Sequence, residues 1–510
     1  MKNTVKKSLS AVLAVIMLVS CFVFSASADE VDKSGYAVER QSCTVYGDTE
    51  TQRGFSWFTL DDCDSVAQVV KASDYLVTGF DKAISFEGTS KSFQGYYNHK
   101  VVATGLKKGT TYYYRLGSLE NDVWGNVGSF FTDNGDDSFT FIALTDVQAS
   151  SYENFEAASK VMGAAVKTFP KAELVLNMGD FVNDCTNEEW QYYSQNFGKY
   201  NDKLTLAPVA GNHEGNITNK LNVGWFDTTF NLQAADGLLN GTNGTFYSFD
   251  YGNAHFCMLN TNDMYPMTEA QRNWIINDLT ASDAQWKIVV THRAPYSAGK
   301  NINKPDTVLL REVLIEIMDQ TDVDLVLSGH DHMYMRTKQV KGDAVVENVE
   351  YVKEVYNGVE TTFAVNPDGT IYALPSTAGT KRYGVNNDAM APIFDCADVY
   401  ATTRSEKDEE GNETNEFAGG CFAGITIDSD KLIYNAYVLS DENEENPAEV
   451  QKITKIDSYA IKKTQKSADL EDTYLPTDPI GTIDQTIVNF VVAIPNLIVT
   501  YIKMLLGGIL

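Results

Sequence analysis

Positive charge is scarce in this chain of 510 residues: 40 Lys and Arg stand against 69 Asp and Glu, a formal net charge of -29. No basic cluster appears beyond the extreme N-terminus, so the electrostatic footprint of a nucleic-acid binder is missing and nucleic acid is set aside as a scaffold partner. An acidic protein also repels an anionic substrate. Any phosphate chemistry therefore needs concentrated local positive charge, which bound metal ions would supply. Histidine is as sparse, with 6 residues in all, and no internal repeat is evident. The 7 cysteines do not disclose their pairing. Cys43 with Cys63 and Cys396 with Cys421 are the locally sensible disulfides, and free buried thiols are the alternative.

Long apolar runs are confined to the two ends. Lys2, Lys6 and Lys7 precede an apolar run from Leu9 to Phe24 and the small residues Ala26-Ser27-Ala28, the pattern of an export signal over residues 1–28 that is cleaved after Ala28. A membrane anchor is the alternative, as is lipidation at Cys21, since Leu18-Val19-Ser20-Cys21 resembles a lipoprotein attachment box. The expected location is secreted or cell-surface. At the other end, residues 480–510 carry only Asp484 and Lys503 as charges. This stretch is long enough for a bilayer span but is interrupted by Pro495 and Lys503, and membrane association is expected of it, with a surface-packed helix as the alternative.

Between these ends the length calls for two folded domains. From about Gln41 to Asp133, short alternating runs separated by Gly, Asp and Asn read as a small all-β domain. Its clearest piece is VVATGLKKGTTYYYRLG, from Val101 to Gly117: a strand, a Lys-Lys-Gly turn, and a second strand of alternating residues. After Asn134 strands alternate with helices. Strands are expected at Phe139–Leu144, Leu174–Met178, Leu206–Ala210, Lys287–Thr291 and Leu325–Leu327, and helices at Asn154–Phe169, Thr268–Leu279 and Thr307–Met318. This alternation predicts a layered α/β domain. Beyond Met333 the pattern turns irregular. Acidic runs at Glu406–Glu416 and Asp441–Glu449 read as solvated loops, and residues 441–479 read as an acidic, polar linker.

Five segments place polar residues directly after an apolar strand: Asp146 in ALTDVQ, Asp180 in LNMGDFVND, Asn212, His213 and Glu214 in VAGNHEG, His292 in IVVTHRAPY, and His330 with His332 in LVLSGHDHMYMR. Strands hold such loops at one sheet edge, and Gly179, Gly211 and Gly329 let the backbone turn there. Four of the 6 histidines fall in these segments; the other two, His99 and His255, read as structural. Carboxylate, amide and imidazole donors without thiolate suit Fe, Zn or Mn. Two such ions sharing a carboxylate can activate water and stabilise both oxygens of an in-line phosphoryl displacement.

The order Asp, Gly-Asp, Gly-Asn-His-Glu, His, Gly-His-x-His resembles that of the calcineurin-like metallophosphoesterases. YSFDYGNAHFCMLNT and GHDHMYMRT, with the preceding β domain, are similar to the purple acid phosphatase branch. The resemblance implies a fibronectin type III-like sandwich at residues 38–134 and, at 138–440, a metallophosphoesterase domain with two central mixed sheets flanked by helices. It also implies an acid phosphatase-like hydrolase acting on small phosphomonoesters by attack of a metal-bound hydroxide. Carried over, Asp146, Asp180 and His332 bind a first metal, and Asp180, Asn212, His292 and His330 a second. Asp180 bridges and shares the catalytic role with His213, which sits beside the substrate phosphate, while Glu214 orients the loop.

Two departures stand out. Where purple acid phosphatases carry an iron-binding tyrosine, three residues after the bridging aspartate, this chain has Asn183; where many relatives place a histidine two residues after the first aspartate, it has Gln148, whose amide oxygen is a weaker candidate ligand. Arg293, Lys300, Lys381 and Arg382 are candidates to contact phosphate. The competing readings are a phosphodiesterase or nucleotide hydrolase on the same site, and a surface binding protein that has lost catalysis.

Overall fold

The computed structural model describes residues 32–215, 224–238, 244–385, 393–398, 404–407, 413–416, 420–441 and 451–464. The export segment, most of the second acidic run and the apolar tail lie outside them. No helix among the described residues is long and apolar enough to cross a membrane.

The N-terminal domain is a β-sandwich. In strand Thr111–Ser118, Tyr112, Tyr114 and Leu116 face inward while Thr111, Tyr113 and Arg115 face out, the period-two alternation of a strand with one buried face. These side chains meet Phe55, Trp57, Val69 and Val101 in a single core. The expected pair of strands around Lys107-Lys108-Gly109 exists as Tyr96–Ala103 and Thr111–Ser118, but they are not hairpin partners. The first pairs with Arg53–Thr59 in one sheet and the second with Val66–Lys71 in the other, so the turn crosses between the layers. His99 lies inside this domain, hydrogen-bonded to Thr59 and Ser65 at 2.7 and 2.8 Å and stacked on Trp57.

The second domain begins with a parallel β-α-β-α-β run. Strands Ser138–Leu144, Leu174–Asn177 and Thr205–Pro208 pair in parallel, connected by helices Tyr152–Thr168 and Asn187–Asn201. Helix starts are set locally: Thr186 and Glu189 form a capping box, as do Thr268 and Gln271 at helix Glu269–Ala281, and Pro305 opens helix Pro305–Thr321. Each such cap contributes about 1 kcal/mol. On one side Ser138–Leu144 pairs antiparallel with Cys421–Asp428. On the other, Leu206 pairs with Thr44 of the N-terminal domain, so one twelve-stranded sheet runs through both domains.

A second, seven-stranded mixed sheet carries Ala254–Met258, Trp286–Arg293, Leu325–Gly329 and Ile371–Pro375 in parallel neighbours. Phe141, Leu176 and Val209 from the first sheet meet Phe256, Val290 and Leu327 from the second in the central core. The outer helices bury Ile275, Leu279, Leu314 and Met318 on the far face. Because both faces of these parallel strands are covered, they read as continuous apolar runs rather than alternating ones.

Three expectations need correction. Residues 451–462, expected within a linker, form strand Gln451–Lys462, paired along its length with Lys431–Asp441. The stretch after Met333 is ordered as strands Tyr334–Thr337, Glu350–Tyr356, Val359–Val365 and Ile371–Pro375. Both regions hold half-exposed strands whose charged outward residues hide the alternation. The proposed disulfides are absent: Cys43, Cys63, Cys396 and Cys421 are free thiols. Cys43 points into the sandwich core, and the Cys396 thiol instead contacts Asp457 at 3.3 Å.

Candidate metal centre

The parallel strands of both sheets end at one edge, and every candidate residue lies at or just past such an end. Asp146 follows Leu144, Asp180 follows Asn177, and Asn212 with His213 follows Pro208. His292 is the penultimate residue of strand Trp286–Arg293, and His330 and His332 follow Gly329. The loops are stitched to one another: Asp146 N donates to Gly179 O at 3.0 Å and Gln148 N to Asp180 O at 2.7 Å. Asp146, Gln148, Asp180 and His330 all adopt positive φ, at 53, 37, 52 and 76°. Holding four non-glycine residues there costs on the order of 1 kcal/mol each, which the surrounding hydrogen bonds must offset.

Gly211 is required for a different reason than turning. A Cβ on it would lie 2.1 Å from Asp180 Oδ1, so only glycine lets this loop pass the aspartate. Gly179 does need the turn, with φ of 91°. Glu214, fully buried, ties the same two loops: its carboxylate accepts from the N–H groups of Asp180, Phe181 and Gly211 at 2.8, 2.9 and 2.8 Å. Burial and the adjacent Asp180 push its carboxyl up to about 8, against the opposing pull of those N–H donors.

Two groups of potential ligands result. Donor atoms of Asp146, Asp180 and His332 lie within 4.8 Å of one another, as do those of Asp180, His292 and His330. Asp180 is common to both. Asn212 Oδ1 joins the second group, 3.0 Å from His292 Nε2, which is also 3.3 Å from Asp180 Oδ2. His332 Nε2 lies 3.2 Å from Asp146 Oδ1. The ring nitrogens facing away are spoken for: His292 Nδ1 meets Met178 O at 2.8 Å and His332 Nδ1 meets Lys381 O at 3.1 Å. A carbonyl can only accept, so each Nδ1 carries the proton and each Nε2 turns a lone pair inward.

The donor set fits cations. Carboxylate oxygens, an amide oxygen and imidazole lone pairs all converge on the same space, and such a collection of acceptors is stable only with positive charge among them. Gln148 adds to this. Its amide N–H donates to His213 Nε2, while its Oε1, on a residue 5% exposed, has no hydrogen-bond partner. Without a cation the cluster shares protons. Burial pushes the Asp180 carboxyl up, but His292 and then His213 outweigh this and hold it well below the usual range. Conversely, burial lowers His292, yet Asp180 pushes it up to about 9.

His213 is half-exposed at the mouth. Its N–H donates to Asp180 Oδ1 at 2.9 Å, and its Nδ1 donates to Asn183 O. Asn183 Oδ1 in turn accepts from Lys381 Nζ. Of the other candidate phosphate contacts, Arg293 is bound to Asp306 and Asn262 at 3.2 and 2.6 Å, and Arg382 donates to the carbonyls of Gly379 and Lys381. Sequence reasoning overlooked Tyr383, whose ring stacks on His332 at 4.4 Å and carries Lys300 Nζ 3.4 Å above it. It also overlooked Asp331, which turns away from the cluster to accept from Ser297 and Asn301. Tyr383 sits in no strand-end motif, and nothing in its local sequence marks it.

Residues 139–334 match the calcineurin-like phosphoesterase family, and residues 38–132 match the purple acid phosphatase N-terminal domain. The chain thus carries a calcineurin-like phosphoesterase domain preceded by a purple acid phosphatase N-terminal domain. Curated relatives of this chain include purple acid phosphatase 15 of Arabidopsis thaliana, 22% identical over 338 residues that cover 59% of this chain and 57% of the relative. The match thus spans little more than half of that relative's length. Acid phosphatase type 7 of Danio rerio is 23% identical over 368 residues, covering 64% of this chain and 75% of the relative. Among solved structures, a purple acid phosphatase from yellow lupin (Lupinus luteus) seeds superposes with a TM-score of 0.63 at 16% identity, covering 88% of this chain and 78% of that one. At that identity the likeness speaks for the fold alone.

Proposed function

We propose that this protein is an exported two-metal phosphoesterase that hydrolyses phosphomonoesters. The observation that carries the reading is the sharing of Asp180 between two buried ligand groups. Asp146, Asp180, His332 and Gln148 would hold one cation, and Asp180, Asn212, His292 and His330 the other. Bound there, a pair of Fe, Zn or Mn ions supplies Lewis acidity for the phosphoryl group and acidifies water for in-line attack.

The chain's own residues prepare the rest. Glu214 and Gly211 fix the Asp180 and Asn212 loops against each other. With Nδ1 committed to Asn183 O, His213 offers Nε2 to the site. Protonated at Nε2, it donates to a phosphate oxygen or passes the proton to the leaving alcohol; neutral, it accepts from Gln148. Export rests on the N-terminal segment, and the apolar C-terminal residues are the proposed membrane contact; truncation after Thr477 tests the latter by fractionation. The activity itself is tested with an aryl phosphate on metal-stripped protein to which Zn, Mn and Fe are returned separately. No turnover with any of them refutes the reading.

A further inference from the structure

Some exposed lysines on this acidic surface pair with carboxylates: Lys82 with Asp74, Lys341 with Asp368 and Lys353 with Glu360, at 2.7, 2.6 and 2.9 Å. Lys300 and Lys381 do not. Among the described residues, the contact recorded for Lys300 Nζ is the Tyr383 ring, and the one for Lys381 Nζ is the Asn183 amide. Both partners are neutral, so neither of these contacts supplies a counter-charge. Arg293, another cation near the cluster, is balanced by Asp306.

Both lysines are built into the cluster rather than loosely hung beside it. Lys381 O accepts from the proposed ligand His332 at 3.1 Å, and Lys381 Nζ reaches the residue whose carbonyl orients His213. Arg382 pins the same loop through the carbonyls of Gly379 and Lys381. Lys300, Tyr383 and His332 form one continuous stack, ammonium on phenol on imidazole. Lys300 is thus tied to the Asp146, Asp180 and His332 group through Tyr383 and Lys381 through Asn183, and Lys381 lies close enough to Asp180, Asp184, Glu189 and Lys300 to respond to their charges.

The proposed phosphomonoesterase reading does not say which residues would favour a monoester over a diester. A phosphomonoester at neutral pH is a dianion with three non-bridging oxygens, whereas a diester is a monoanion with a second organic group in place of the third. Two ammonium groups that touch no carboxylate favour the former by charge. We propose that Lys300 and Lys381 form a cationic clamp that selects dianionic phosphomonoesters, with Tyr383 and Asn183 as the positioning residues that hold them. This rests on the phosphoesterase reading and narrows it.

The test compares 4-nitrophenyl phosphate with bis(4-nitrophenyl) phosphate on the metallated full chain, for wild type, Lys300→Met, Lys381→Met and the two Lys→Arg variants. Each Met variant is expected to lose about tenfold in monoester kcat/KM, mostly through KM, and to bind inorganic phosphate as an inhibitor about tenfold more weakly, while diester turnover changes less than about threefold. The Arg variants recover most of the loss. Equal losses on both esters, no loss on either, or a wild type that prefers the diester overturns the clamp. Wild-type salt dependence tests it without any substitution: KM for the monoester must rise more steeply with ionic strength than KM for the diester, and parallel slopes also overturn it. A wild type that cleaves neither ester removes the phosphoesterase reading itself, and is distinguished by the absence of any turnover to compare.

Discussion

His292 Nε2 lies 3.0 Å from Asn212 Oδ1, one acceptor facing another when the ring's proton sits on Nδ1 and donates to Met178 O. Only a shared proton or a cation reconciles them, and Asp180 Oδ2, 3.3 Å from the same nitrogen, makes the cation the better solution. Asp180→Asn is therefore expected to abolish aryl phosphate turnover, by at least about a thousandfold, since it touches both proposed cations at once. Elemental analysis of the purified variant should give fewer than one metal per chain. His332→Asn should lose one ion and keep the other. An Asp180→Asn protein that retains close to two metals contradicts the bridge.

Metal return to stripped protein should also stabilise it. A ligand that binds only the folded chain at a hundred times its Kd contributes about 2.7 kcal/mol, a rise of a few degrees in Tm for a domain of this size. Calorimetry of stripped and reloaded wild type measures this directly. The increment should vanish in Asp180→Asn, and an equal rise in both proteins would place the binding elsewhere.

Glu214 gives a prediction of a different kind because it touches no proposed cation. Its oxygens accept from Asp180, Phe181 and Gly211 N–H groups, so Glu214→Gln turns one acceptor into a donor pointed at another donor inside the protein. The expected cost is about 2 to 3 kcal/mol of folding stability, with lower metal retention because the Asp180 loop loses its brace. Denaturant midpoints and metal content should fall together. A variant with wild-type stability would show that the carboxylate is dispensable to the loops.

Much of this centre was legible from strand ends. Asp146, Asp180, Asn212, His292, His330 and His332 each follow an apolar run, and parallel strands bring such positions to one edge whatever the details of packing. What escaped reading has physical reasons. Tyr383 reaches the site through a loop that follows a strand end by several residues, and its role is a stacking contact with no period of its own. Strand Gln451–Lys462 was hidden because Lys452 and Lys455 are exposed along it and its inward face spends a position on Asp457, which accepts from Tyr334 and Arg336, leaving only Ala460 and Ile461 deeply buried. Charge composition dominated a pattern set by half-buried positions. The disulfide expectation failed because nearness in sequence says nothing about which way a thiol faces: Cys43 belongs to a strand that buries it.

Asn183 bears on colour. The resemblance places an iron-bound tyrosine at this position in purple acid phosphatases, but here the side chain is an amide that accepts from Lys381. Iron-reconstituted protein should therefore lack an absorption band in the violet-purple range. A band of that kind in pure, iron-loaded wild type would mean that another phenolate supplies the ligand.

His255 sets a pH dependence remote from the metal ligands. Its Nδ1 lies 2.7 Å from Asp250 Oδ1 and its Nε2 2.9 Å from Asp278 Oδ2, so both ring nitrogens must donate and the ring is an imidazolium. Burial lowers its pKa, but the two carboxylates outweigh this and push it up to about 9. In the unfolded chain it titrates near 6.5. A folded pKa above the unfolded one means that the folded state holds the proton more tightly. The contribution is thus complete below about pH 6.5 and disappears as pH rises through about 9. Discounted because Asp250 is largely exposed, it amounts to about 2 kcal/mol. Urea unfolding of wild type at pH 6 and pH 10 should show that loss, and His255→Gln, which cannot take up the proton, should show a smaller change across the same interval. Parallel pH profiles for the two proteins would mean that the paired carboxylates do not hold a charged ring.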